Sequence, residues 1–355
     1  MKIIDAHEDI AWNVLTFGRD ILNSAQETRR QEEGTRIPSY NGSCMLGLPD
    51  WLAGGVALVW GSLFVAPARR SLGSWDSEAY ADAEQAHRRF SAQLDVYHRL
   101  RDQSKQIELV GSQADLEAVW EPQEGAAPRV GILPLMEGAD GIRRPAEVAE
   151  WHRRGVRAVG LTWATRSRYA GGNVEPGPLT DAGRELLAAM ADVGMVLDVS
   201  HLAEEAFWEA VERYQGPVAA SHANPRAIVP GPRQLSDGMI AALAERDGVI
   251  GIVPFNRFLS RGWAPTDGKE TVTIQHVAAA IDHVCQVVGD AAHVGLGSDF
   301  DGGFGAESAP AGIDTVADLP KIAAALGERG YADAQVAAIM GENWLRLLRA
   351  ALPAD

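Results

Sequence analysis

The sequence predicts an α/β chain folded as a (β/α)₈ barrel, and three observations carry that expectation. Eight short apolar runs recur along the 355 residues. Stretches with helical period separate them, and the runs are apolar almost throughout, as in parallel strands buried on both faces. Eight strand and helix units within about 300 residues match a closed barrel of the TIM type. A doubly wound open sheet is the alternative.

The first run, "KIIDAHEDI" (2–10), ends in charge. Residues 17–53 follow; they are polar, hold Gly and Pro and lack clear periodicity, so a long loop over the active face is expected. "GVALVWGSLFV" (55–65) is the second strand, 66–76 a loop and 77–103 a long helix. "RVGILPLMEG" (129–138) precedes a helix at 145–154. "RAVGLTW" (157–163) precedes the Gly- and Pro-rich stretch 166–178 and a helix at 179–193. "MVLDVSH" (195–201), "PVAASHA" (217–223) and "VIGIVPF" (249–255) lead to helices at 203–214, 236–246 and 272–288. "HVGLGSDFDG" (293–302) leads to helices at 316–329 and 332–351. Several helices start at Ser, Thr or Asp and end near Gly. Neither a repeat nor a composition change divides the chain, so residues 1–355 are expected to form one barrel domain.

The net charge of −16 disfavours a polyanion partner, and no Lys/Arg cluster suggests nucleic acid. No run of about 18 uncharged apolar residues is present, and no signal peptide precedes the first strand, so no membrane partner and a cytoplasmic location are expected. Cys44 and Cys285 have no metal or redox spacing and are read as reduced packing residues.

Three of the nine histidines, His7, His201 and His222, fall at or near the C-terminal ends of predicted strands, where barrel enzymes carry their chemistry. Glu137 and Asp299 also follow apolar runs. In "DAHEDI", His7 and Asp9 share a strand face while Glu8 points away, giving half of a metal site. A carboxylate such as Glu137 can span two cations, and His201 and His222 would complete a second site. Singly, each has an ordinary reading; Glu137, for instance, could pair with Arg143 or Arg144. Jointly, five metal-type ligands at one pole of eight strands point to a metal centre. His87, His98 and His152 read as solvated helical residues, His276 and His283 as packing or surface residues. His293 precedes its strand, at the wrong end of the barrel. "GLGSDFDG" lacks the GxGxxG spacing of a dinucleotide site.

"DAHEDI", "LMEGADGI", "LDVSHL", "ASHANPRAIVPGPRQLSD" and "VGLGSDFDG" together resemble the membrane (renal) dipeptidase family of metallopeptidases, in the same motif order from residue 3 to about 350. The resemblance implies a (β/α)₈ barrel with two zinc ions. His7, Asp9 and Glu137 would hold one and Glu137, His201 and His222 the other, with Glu137 bridging. Asp299 matches the family's acid/base aspartate; spacing alone does not choose it over Asp301, which would lie on the same strand face. Arg233 matches the arginine that receives a substrate carboxylate. The signal and lipid-anchor features of the animal members are missing, and a homodimer is expected from the family's habit.

This resemblance implies a zinc-dependent dipeptidase. Two cations about 3.5–4 Å apart can hold a bridging water, lower its pKa toward about 7 and polarise the scissile carbonyl. Asp299 would take the water's proton and pass it to the departing amine. One departure stands out: Trp163 occupies the place of a substrate-contacting histidine, and indole offers a single N–H. Arg166 or Arg168 could compensate. The alternative function is a metal-dependent amidohydrolase acting on another amide, a lactone or an N-acyl amino acid; a catalytically silent binding barrel is a third.

Overall fold

A computed structural model describes residues 1–123 and 125–354. Every residue of the first strand, β1 (Ile3–Glu8), and of β2 (Val56–Phe64) is buried, as expected of strands covered on both faces. After the short β3 (Ile107–Leu109) come β4 (Val130–Glu137), β5 (Ala158–Gly160), β6 (Val196–Asp198), β7 (Val218–Ala220), β8 (Val249–Ile252) and β9 (Val294–Leu296). All pairings between these strands are parallel. β1 lies between β2 and β9, and β2 pairs with β4, so eight strands close a ring and the open sheet is ruled out. β3 is a ninth strand, beside the start of β4.

The lumen is filled by Ile4, Ala6, Leu58, Trp60, Leu133 and Leu135, and Trp344 from the last helix packs among them. The Trp344 indole donates to Leu296 O at 3.0 Å, tying that helix to the ring. This plug leaves the opposite end, where the strands finish, free for chemistry.

The eight barrel strands coincide with the eight apolar runs, but several are only three or four residues long. The 17–53 stretch holds three short helices, Ala25–Glu32, Ile37–Asn41 and Leu48–Gly54. Helices at Ile10–Phe17 and Gln113–Trp120 were not expected. The long helix starts at Ala83 rather than 77, because the Asp82 side chain caps it by accepting from Gln85 N–H. His87 and His98 are half-buried rather than solvated; they bond the carbonyls of Gly141 and Arg154 and hold that helix to its neighbours. No helix among the described residues is long and apolar enough to cross a membrane.

Candidate active site

Pairing between β1 and β2 shifts register between Asp5 and Glu8. Alternation from Ile4 and Ala6 would send Glu8 into the lumen; the shift turns His7 to the barrel mouth instead. Glu8 is buried outside the ring, accepting from Trp51 Nε1 at 2.8 Å. Burial holds its carboxyl well above the ordinary range, which disfavours a free anion there.

The ends of β1, β4, β6 and β7 bring five expected residues together. His7 Nε2 lies 3.7 Å from Asp9 Oδ2 and 3.6 Å from Glu137 Oε2. The other Glu137 oxygen, Oε1, lies 3.0 Å from His201 Nε2 and 3.5 Å from His222 Nε2. One carboxylate therefore turns an oxygen to each of two histidine groups. Arg143 and Arg144 pair with Glu147 instead, so the ion pair that could have explained Glu137 does not form.

Neighbouring groups fix which imidazole nitrogen faces the centre. Asp198 accepts from Ser200 Oγ at 2.5 Å, Ser221 N at 2.9 Å and Ser221 Oγ at 2.6 Å. Ser221 Oγ, having given its proton to Asp198, accepts from His222 Nδ1 at 2.8 Å and is 3.3 Å from His7 Nδ1. His201 Nδ1 donates to Asn173 Oδ1 at 3.1 Å. With Nδ1 protonated in His201 and His222, each Nε2 presents a lone pair. Those two Nε2 atoms face each other at 2.9 Å, an approach of two lone pairs that a shared cation would relieve. Asp198 also lies near His7 and His222, but its oxygens accept four hydrogen bonds, from the N–H and hydroxyl groups of Ser200 and Ser221, so it serves as support. Sequence reading missed it, although "DVSH" places Asp198 and Ser200 two apart on a strand end.

The donor set fits bound cations. His7 Nε2 is buried without a hydrogen-bond partner. His7, Asp9 and Asp299 form one group of mutually close donor atoms, and Glu137, His201 and His222 another. Burial, reinforced by Arg233, lowers His201 to about 4, and burial holds His222 well below the ordinary histidine range. Both imidazoles are neutral at pH 7, the form that can accept a cation. His7 differs: burial lowers its pKa, but Glu137, Asp9 and Asp299 outweigh burial and raise it to about 10. A cation bound by His7 would displace that proton, and its affinity should then rise about tenfold per pH unit below 10 for each proton released. Calorimetric zinc titrations at pH 8 in buffers of different ionisation enthalpy should count at least one released proton. Release of none would place the cation away from His7.

After β9 the backbone leaves the strand conformation. Asp299 and Asp301 both have positive φ, 59° and 61°, so their side chains diverge instead of sharing a face. Asp299 turns inward, with Oδ1 3.9 Å from His7 Nε2, and burial holds its carboxyl well above the ordinary range. Asp301 turns outward to Arg19 Nη1 at 3.1 Å and Met45 N at 2.9 Å. Asn13 and Asn41 donate to Asp301 O, each at 2.9 Å, and Arg19 also pairs with Glu32 at 2.7 Å. The loop is bonded directly to β1, since Asp299 N–H donates to His7 O at 2.9 Å and Asp9 N–H to Phe300 O at 3.2 Å. A Cβ at Gly302 would lie 2.5 Å from both Asp299 Oδ1 and Asp9 Oδ2, so only glycine fits.

A cavity of about 210 Å³ opens onto these groups, reached by Asp9, Glu137, His201, Arg233 and Asp299. Partly buried Arg233 donates to Ser200 O at 2.8 Å and His222 O at 2.9 Å. Trp163 lines the cavity, packed edge-on to Phe64 at 4.9 Å between ring centroids. Arg166 and Arg168 do not compensate for it. Both are exposed, line a separate outer groove and donate to the carbonyls of Pro176 and Arg143.

A (β/α)₈ barrel with neutral imidazoles and carboxylates gathered at its mouth is the framework of a metal-dependent hydrolase. A profile of the membrane dipeptidase family (peptidase family M19) matches residues 1–354, and the chain belongs to that family. It is thus a metallohydrolase of the dipeptidase type. An uncharacterized protein of the pqqA 5′ region of Klebsiella pneumoniae is 31% identical over 253 residues, 68% of this chain and 88% of that protein. Dipeptidase tcpJ of Claviceps purpurea is 30% identical over 266 residues, covering 72% of this chain but only 58% of that protein. A metallo peptidase from Rhodobacter sphaeroides, solved with a phosphinate mimic of L-Ala-D-Ala, superposes with TM-score 0.79 at 24% identity, covering 99% of both chains. That likeness is one of fold.

Proposed function

We propose that this protein hydrolyses the amide bond of dipeptides bearing a free C-terminal carboxylate. His7, Asp9, Glu137, His201 and His222 would hold two zinc ions, with Glu137 shared between them. The observation that carries the substrate reading is Arg233. Its guanidinium reaches the cavity, two of its five N–H groups go to backbone carbonyls, and no carboxylate lies within 4.0 Å among the described residues. The remaining donors suit a carboxylate brought by the substrate.

Bound zinc supplies a water of lowered pKa and polarises the scissile carbonyl. Arg233 anchors the substrate's terminal carboxylate and thereby sets the amide against Asp299. The Asp299 carboxylate takes the proton of the attacking water and returns it to the leaving nitrogen, a task suited to a carboxyl whose proton affinity is raised by burial. Asp198 and Ser221 hold the ligand imidazoles in orientation.

The test compares dipeptides with their C-terminal amides. Amidation should lower kcat/KM about 100-fold or more, the worth of a charge-assisted pair, and Arg233→Met should remove that difference while zinc content stays the same. Equal turnover of acids and amides would refute the reading. A second substrate class, N-acyl amino acids, shares the carboxylate and amide. Trp163 favours it, since its ring lies beside His201 with centroids 6.3 Å apart and offers an apolar surface to an acyl chain. The same assay with N-acyl amino acids separates the two.

A further inference from the structure

We infer that the dipeptide accepted here is apolar at both residues, an inference that rests on the dipeptidase reading and narrows it. Cavity polarity is segregated. The titratable groups lie together at the strand ends, whereas the walls are aromatic and come from loops distant in sequence. On one side Trp12 meets Phe64 edge-on at 5.7 Å, and Phe64 meets Trp163 at 4.9 Å. On the other side Phe255 stacks on Phe304 at 4.3 Å and meets Phe258 at 5.1 Å. All six line the same cavity.

Arg233 orients the substrate between these walls. Its guanidinium carbon sits 5.6 Å from the Phe258 ring centre, so a residue whose carboxylate is held by Arg233 has its side chain beside Phe258 and Phe255. The other residue, beyond the amide, then meets Trp163 and Phe64, the aromatic pair nearest His201. A charged side chain against either wall would lose hydration to an aromatic surface, with Arg233 already committed to the substrate's terminal carboxylate. An apolar one gains contact with ring faces and edges. Trp163 is therefore a specificity-determining residue for the N-terminal side of the substrate and Phe258 for the C-terminal side.

The experiment measures kcat/KM for Ala-Ala, Leu-Ala, Ala-Leu, Leu-Leu, Asp-Ala, Lys-Ala, Ala-Asp and Ala-Lys with the zinc-loaded enzyme. Leucine at either position should exceed alanine by about tenfold or more, and each charged residue should fall below alanine. Trp163→Ala should lower the Leu-Ala to Ala-Ala ratio and spare the Ala-Leu to Ala-Ala ratio; Phe258→Ala should do the reverse. Trp163→Phe, which keeps an apolar wall, should retain the preference. Charged dipeptides turned over as well as Leu-Leu would overturn the inference, as would both alanine variants lowering both ratios alike. Turnover of none of the eight would instead defeat the dipeptidase reading, and the inference with it.

Discussion

Replacing Asp299 by Asn should lower kcat/KM roughly 10²–10⁴-fold, the usual loss when a positioned general acid/base is removed, with zinc content unchanged. The substitution keeps side-chain size and removes only the ability to take a proton. Burial raises the Asp299 carboxyl, and the nearby Asp9 and Glu137 raise it further against the opposing pull of His7 and Arg233. A group so tuned must be ionised to accept the proton of water, so activity in the parent falls as pH drops through its pKa. The residual activity of Asp299→Asn should lack that acid limb. Retention of more than a tenth of the parent rate would move the proton-transfer role to another residue.

Arg19→Met should cost about 3–5 kcal/mol of stability, because it leaves two buried carboxylates, Glu32 and Asp301, without their cation. Urea denaturation measures this directly. Activity should fall as well, since Asp301 anchors the loop that presents Asp299 in a left-handed conformation. Two such non-glycine residues cost on the order of 1–3 kcal/mol each, and surrounding contacts must hold them there. Arg19→Lys should be intermediate, as a point charge cannot reproduce the forked contact with Glu32. A loss below about 1 kcal/mol for Arg19→Met would mean that the cluster does not brace the loop.

The barrel was legible from its strands, and the histidines and carboxylates gathered at its mouth were legible because they lie on strand ends or within three residues after them. A strand fully buried in a parallel sheet declares itself as an apolar run, and a histidine at its end stands out against that background. β3 and the helix at Ile10–Phe17 were missed for local reasons. β3 carries Glu108 between Ile107 and Leu109 and so shows no continuous apolar run, and Asp9 makes no side-chain cap that would mark a helix start. Asp299 and Asp301 could not be told apart because strand alternation does not hold where both residues have positive φ. His7 faces the mouth through a register shift with β2, which single-strand periodicity does not contain. The aromatic walls were invisible for a different reason. Trp12, Phe64, Phe255 and Phe304 are spread over nearly 300 residues, and only closure of the ring brings them to one cavity.

The position of β1 between β2 and β9 has a consequence for how the protein is made. β1 precedes the other barrel strands of this chain yet completes its pairing only when β9 is in place, and the bonds from Asp299 to His7 and from Asp9 to Phe300 form in that same event. Until then Asp299, which follows β9, is missing from the site, whereas His7, Asp9, Glu137, His201 and His222 belong to the contiguous arc β1-β2-β4-β5-β6-β7. Long-range closure of this kind is slow, so Asp299 is the last of these groups to reach the site. An incomplete barrel in this way lacks the carboxylate proposed to move the proton.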